Sequence, residues 1–186
     1  MPDDREVMAL WIAFRKGDSE AYTKIVNHFY TILYDYGSRL CKDSGTLEDC
    51  IHDLFLEIWQ RRKYLSDTDY VKFYLLKALR RRIQDKRKNQ QKWEQTPLND
   101  TLEVEFFGEF SIETKIILQE TNEHQLQKLR HILGKLTKRE REVIYLKFYQ
   151  ELDYEQIAGL MSINYQSVRN LVHIAINQLK IAWQQN

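Results

Sequence analysis

The sequence predicts an all-α protein made of two small helical domains joined by an acidic linker. Three observations carry that prediction. Only six glycines and two prolines punctuate 186 residues, and the rest is rich in Leu, Ile, Lys, Glu and Gln, which sustain helices. Apolar residues recur at steps of three and four through most of the chain, the spacing of one helix face. Charge then divides the middle. From Arg61 to Lys92 there are twelve Lys or Arg against three Asp, whereas from Trp93 to Glu123 there are eight Asp or Glu against Lys115 alone. The domains are accordingly placed at 1–92 and 124–186, with 93–123 as the connector.

The N-terminal domain reads as four helices. A first, over about 5–16, stops at Gly17, and Gly17-Asp18-Ser19 supplies both that stop and the cap of a second helix reaching about Leu40. Ala21, Ile25, Phe29, Ile32, Leu33 and Tyr36 give the second helix a bulky apolar stripe. Thr46 and Asp49 have the spacing of a capping box, which starts a third helix whose core face is Leu47, Ile51, Leu54, Phe55 and Ile58. Its opposite face then exposes Asp49, His52, Asp53 and Leu56. After the polar loop 66–69, a fourth helix runs from about Tyr70 into the basic run, combining Phe73, Leu76, Leu79 and Ile83 with Lys77, Arg80, Arg81 and Arg82.

The connector holds Pro97, Asn99-Asp100 and Gly108, but also Phe106, Phe107, Phe110, Ile112, Ile116, Ile117 and Leu118. That is too apolar for a freely solvated tether, so part of it is expected to pack. In the C-terminal domain, Ile157, Leu160 and Met161 line one helix, with the small Ala158 where a second helix must cross closely. A Ser162-Ile163-Asn164 turn follows. Val168, Leu171, Val172 and Ala175 then face inward, which leaves Gln166, Ser167, Arg169, Asn170 and His173 outward. This is the pattern of a helix-turn-helix, whose second helix reads base edges in the major groove.

Composition excludes several classes. No apolar run is long enough to span a membrane, so no membrane insertion is expected. The N-terminus begins acidic and lacks the basic start and apolar core of a secretory signal, which predicts a soluble, cytoplasmic protein. Cys41 and Cys50 are too few for a metal cluster and read as reduced, buried thiols in helices. Five histidines lack metal-ligand spacing, no paired carboxylates have a plausible site spacing, and no glycine-rich phosphate loop is present. The expectation is therefore a protein that is not an enzyme and needs neither metal nor cofactor. The basic stretch is a footprint for a polyanion, and aromatics beside its cations suit unstacked bases of an opened strand.

These segments carry a resemblance. AYTKIVNHFYTILYDYGSRL, TLEDCIHDLFLEIWQRR and YVKFYLLKALRRRIQDKRK, followed by LTKREREVIYLKFYQELDYEQIAGLMSINYQSVRNLV, resemble regions 2 and 4 of bacterial sigma-70-family factors of the extracytoplasmic function group. The likeness spans nearly the whole chain in order. It implies a region 2 four-helix bundle and a region 4 helix-turn-helix. It also implies an activity: binding core RNA polymerase, recognising the minus 35 and minus 10 promoter elements, and opening the DNA. Anti-sigma factors are common partners in this group.

The resemblance assigns roles residue by residue. EDCIHDLF matches the segment that docks on the beta-prime clamp, which gives Asp49, His52, Asp53 and Leu56 to core binding. Lys63, Tyr64, Tyr70, Lys72, Phe73, Tyr74, Lys77, Arg80 and Arg81 fall in the part that captures a flipped minus 10 base, with Lys63 to Tyr70 as the pocket loop. Lys138, Arg139 and Arg141 match residues near minus 35 phosphates, and Tyr165, Gln166, Ser167, Arg169, Asn170 and His173 match the recognition helix. Leu136, Ile144 and Phe148 match residues that dock on the beta flap, for which core packing is an equal explanation.

Some positions depart from the pattern. Ser162 stands where glycine is usual, so a left-handed conformation there would cost about 1 kcal/mol. Ile174, Asn177 and Gln178 replace cations common after the recognition helix, and Arg81 replaces an Asn. Two other readings compete. LTKREREVIYL before a helix-turn-helix also resembles the output domain of LuxR-type regulators, but the strand-rich partner domain those carry has no counterpart here. A nucleic-acid enzyme lacks a visible site.

Overall fold

The computed structural model describes residues 4–93 and 123–185. The chain divides into two compact units, Met1–Val104 and Glu105–Asn186, and all regular structure among the described residues is helical. Apart from its end residues Trp93 and Glu123, the acidic connector with its Phe and Ile residues lies outside the described residues.

In the first unit, α1 (Asp4–Arg15), α2 (Ser19–Ser38), α3 (Ser44–Gln60) and α4 (Val71–Trp93) pack together. Gly17 takes a φ of 100° between α1 and α2, a left-handed value that glycine adopts without a Cβ clash. Asp18 caps α2 as its sequence position predicts, accepting from the backbone N–H groups of Glu20 and Ala21 at 2.9 and 3.1 Å. The α2 stripe is buried from Ala21 to Tyr36, with Ile32 half-buried. Trp11, Phe14, Ile25, Leu33, Tyr36, Ile51, Leu54 and Leu79 form the centre.

The start of α3 requires a correction. Its cap is Asp43, whose carboxylate accepts from the Thr46 N–H at 2.7 Å, and no Thr46–Asp49 box forms. Hydrogen bonding from the Thr46 side chain, and then from its backbone N–H, holds the Asp43 carboxyl below its usual range. Cys50 is buried in α3 as expected. Cys41 is not helical: it lies half-buried after α2, its thiol donating to the Asp43 carbonyl at 3.4 Å.

Helices α2 and α3 meet at Gly37. A Cβ there would sit 2.3 Å from Leu47 Cδ1 and 3.2 Å from Leu79 Cδ2. Gly37→Ala should therefore destabilise the first unit by about 1–3 kcal/mol through overpacking, read as a lower urea midpoint with unchanged slope.

The second unit contains α5 (Glu123–Lys135), α6 (Lys138–Ile144), a π-helical turn at Tyr145–Tyr149, α7 (Tyr154–Met161) and α8 (Tyr165–Gln185). Helix α8 packs against α5, α6 and α7. Thr137 and Glu140 form a capping box on α6, as do Asp153 and Gln156 on α7. Val143, Leu146, Ile157, Leu160, Val168, Val172 and Ala175 form the core.

Candidate nucleic-acid and polymerase interfaces

On α3, the buried stripe Leu47, Cys50, Ile51, Leu54, Phe55 and Ile58 forces the intervening residues outward. Asp49, His52, Asp53 and Leu56 follow at helical steps on that outer face. All four are exposed, and Leu56, an apolar side chain in water, is 53% exposed. The carboxylates also face α4: Asp49 lies 3.9 Å from Lys86 and Asp53 lies 3.8 Å from Arg82. Glu57 pairs with both Arg61 and Arg82. The hydrogen bond from Arg61 and the charge of Arg82 lower the Glu57 carboxyl against the opposing effect of burial. This pairing is present above the ordinary glutamate pKa and is lost as pH falls through the depressed folded value.

The loop before α4 is held from inside. Leu65 is buried, the Trp11 indole N–H donates to the Ser66 carbonyl at 3.3 Å, and Arg15 pairs with Asp67. Thr68 Oγ1 accepts from the Tyr70 N–H at 3.1 Å. With its inner side pinned, the loop turns its aromatics out: Tyr64 is 85% exposed and Tyr70 is 57% exposed. Lys63 is exposed beside them. Trp11 and Arg15 carry no sequence signal for this task, because they act across more than fifty residues.

Helix α4 separates the cations that its sequence runs together. Lys77 is exposed with its ammonium 5.5 Å from the centre of the half-buried Phe73 ring, and Arg81 is exposed. Lys72 is half-buried. Tyr74 is half-buried too, with its ring edge-on to Trp11 at 5.6 Å, and burial raises its hydroxyl pKa. Arg80 overturns the sequence expectation. It is only 7% exposed, and its Nη1 donates to the Tyr36 hydroxyl at 2.9 Å inside the unit, so it has no face to offer DNA.

In the second unit, Asn164 opens α8 by accepting from the Ser167 N–H at 2.7 Å. Tyr165, Gln166, Arg169, Asn170 and His173 are exposed along one side and Ser167 is half-buried. Gln166 donates to the Asn170 side-chain oxygen at 3.0 Å, and the Asn177 amide lies 3.3 Å from the His173 ring nitrogens. Lys138 and Arg139 are exposed at the start of α6, whereas Arg141 is half-buried. Gln178 reaches back to Glu140 at 3.3 Å. Of the apolar trio, Leu136 and Ile144 are core and Phe148 is 60% exposed.

The turn between α7 and α8 has the strained form expected. Ser162 sits at φ 55°, ψ 42°, in the left-handed region. Ser162→Gly should relieve that cost, less the added entropy of a glycine in the unfolded chain, and stabilise the second unit by up to about 1 kcal/mol. A raised melting temperature would register it.

The sigma-70 region 2 profile matches residues 25–93, and the sigma-70 region 4 profile matches residues 126–179. The chain belongs to the sigma-70 family, in its extracytoplasmic function group. Among curated relatives, the ECF RNA polymerase sigma factor SigK of Mycobacterium ulcerans is 23% identical, over 96% of this chain and 92% of its own. SigK of Mycolicibacterium vanbaalenii is 22% identical over 94% and 88%. Two solved structures share the fold. CnrH, solved with the cytosolic domain of CnrY, has a TM-score of 0.58 at 14% identity and covers 96% of this chain and 97% of that one. The sigma factor RpoE of Bartonella quintana, solved with the anti-sigma factor NepR, has a TM-score of 0.57 at 17% identity, over 88% and 96%. A sigma factor directs core RNA polymerase to promoters at transcription initiation, so polymerase and promoter DNA are this chain's partners. The α3 and loop surfaces fall within the region 2 match, and the α6 and α8 surfaces within region 4.

Proposed function

We propose that this sigma factor divides its contacts by surface. The exposed α3 face, with Asp49, His52, Asp53 and Leu56, docks on the beta-prime clamp. The loop from Lys63 to Tyr70 captures a flipped minus 10 base against Tyr64 and Tyr70, while Lys72, Phe73, Lys77 and Arg81 hold the adjoining strand. Arg80 and Tyr74 serve the packing behind that surface. Helix α8 enters the major groove of the minus 35 element through Gln166, Ser167, Arg169, Asn170 and His173, with Tyr165, Lys138, Arg139 and Arg141 toward phosphates. Phe148, exposed where Leu136 and Ile144 are buried, is the residue left to meet the beta flap.

The observation that supports this division best is the outward pinning of Tyr64 and Tyr70 by Trp11, Arg15 and Leu65. Burying two tyrosines would gain apolar contact, and the loop holds them in water instead. The segment 93–123 tethers the two domains. The protein works in the cytoplasm without a cofactor and without enzymatic activity of its own. RpoE is bound by the anti-sigma factor NepR in its solved complex, and an anti-sigma factor likewise binds this chain.

The minus 35 part is tested with Arg169→Ala in reconstituted holoenzyme on promoters randomised at minus 35. A loss of about 1–3 kcal/mol with relaxed preference at one base pair is expected. Equal loss on every sequence would make Arg169 a phosphate contact.

A further inference from the structure

Helix α8 runs on past its outward polar residues, and its last turns lie along α5. Between the two helices is an open groove of about 300 Å³. Its lining is apolar: buried Ile132, half-buried Leu129, Ile176 and Leu179, and Trp183, which is 42% exposed. A lone exposed tryptophan is ordinary on a protein surface, but a continuous apolar groove marks a place where another apolar group binds. The charges beside it have one sign. The Lys128 ammonium lies 4.7 Å over the Trp183 ring and Lys180 lines the groove, while no acid lines it among the described residues.

The group that fits is therefore apolar and acidic, and this chain carries such a stretch next to the groove. Residues 106–118 hold Phe106, Phe107 and Phe110, then Ile112, Ile116 and Ile117, with Glu109 and Glu113 among them. Glu103 and Glu105 stand just before, and Lys115 is the one cation. The second compact unit begins at Glu105, so it takes in the whole stretch. The described structure resumes at Glu123, which opens α5. Leu129 lies about 9 Å further along that helix, and residues 119–122 can span about 13 Å, enough to bring Leu118 back to the groove. So short a connection holds the stretch near millimolar effective concentration, where a modest affinity suffices.

We infer that the stretch 106–118 seats in the α5–α8 groove of its own chain, which leaves the more polar 94–105 as the tether between the two domains. Seating takes the phenylalanines and isoleucines out of water and brings the glutamates toward Lys128 and Lys180. A connector too apolar to be freely solvated then has a partner that its own C-terminal domain supplies.

The test is photocross-linking in the purified full-length chain with p-benzoylphenylalanine in place of Trp183, followed by peptide mapping. Position 183 is exposed and the replacement is a large aromatic, so the fold should persist, which circular dichroism checks. The expected product is an intramolecular cross-link to 106–118. Phe106→Ser, Phe107→Ser and Phe110→Ser together should lower its yield on the order of 10-fold, because the affinity comes from apolar burial.

A yield unchanged by the three serines would overturn the inference, since mere proximity along the chain would then explain the cross-link. The absence of any cross-link to 106–118 in the free chain would overturn it too. A cross-linked dimer would give the groove to a second copy, and a cross-link formed only with core RNA polymerase would give it to the enzyme.

Discussion

Replacing Asp49 and Asp53 together with lysine is expected to weaken core polymerase binding on the order of 100-fold or more while leaving the first unit folded. Reversing charges across a specific docking surface removes two attractive contacts and installs two repulsive ones, an effect of several kcal/mol. The cost to folding is small. Both carboxylates are more than half exposed, and their partners Lys86 and Arg82 stand 3.9 and 3.8 Å away, the geometry of exposed pairs worth about 0–1 kcal/mol each. Circular dichroism and a melting curve confirm the fold, and size-exclusion chromatography with core reads the docking. A folded double variant that co-elutes with core as the unaltered chain does would remove α3 from the clamp interface.

The second large effect separates neighbours in the Arg80-Arg81-Arg82 run. Arg80→Ala is expected to destabilise the first unit by about 2–4 kcal/mol, since it opens a cavity and strips the buried Tyr36 hydroxyl of a charged donor. For a unit of this size the melting temperature should fall by roughly 10 °C or more. Arg81→Ala, whose side chain is exposed with Asp85 at 3.9 Å, should leave the melting curve nearly unchanged and weaken minus 10 complexes instead. Thermal melts paired with promoter opening by holoenzyme distinguish the two. An Arg80→Ala chain as stable as the original would refute the buried role.

That contrast shows how far a sequence can be read. Three consecutive arginines look alike as charge, but successive helix residues rotate by about 100°. Arg80 falls on the side of Leu76 and Ile83, both buried, while Arg81 faces water and Arg82 turns to Glu57. The apolar spacing held the information, and the charge count obscured it. The α3 start misled for a related reason: Thr46 and Asp49 have box spacing, but Asp43 lies upstream with a carboxylate that reaches the Thr46 N–H first. Where one local rule had no competitor, the reading was accurate, as at Asp18, at Ser162 and along the outer faces of α3 and α8, the half-buried Ser167 excepted. What sequence patterns could not supply were long-range contacts. The hold of Trp11 and Arg15 on the loop, and the burial of Leu136 and Ile144 beside an exposed Phe148, arise only once helices pack.

This chain works as a promoter-selecting subunit of RNA polymerase. The most direct measurement is reconstitution of the purified chain with core enzyme, followed by co-elution and run-off transcription from a genomic promoter library. Stable co-elution with transcripts that start at a defined set of promoters, absent with core alone, is the predicted result. Duplex DNA binding without core association or promoter-specific transcripts would contradict it and leave a stand-alone DNA-binding regulator.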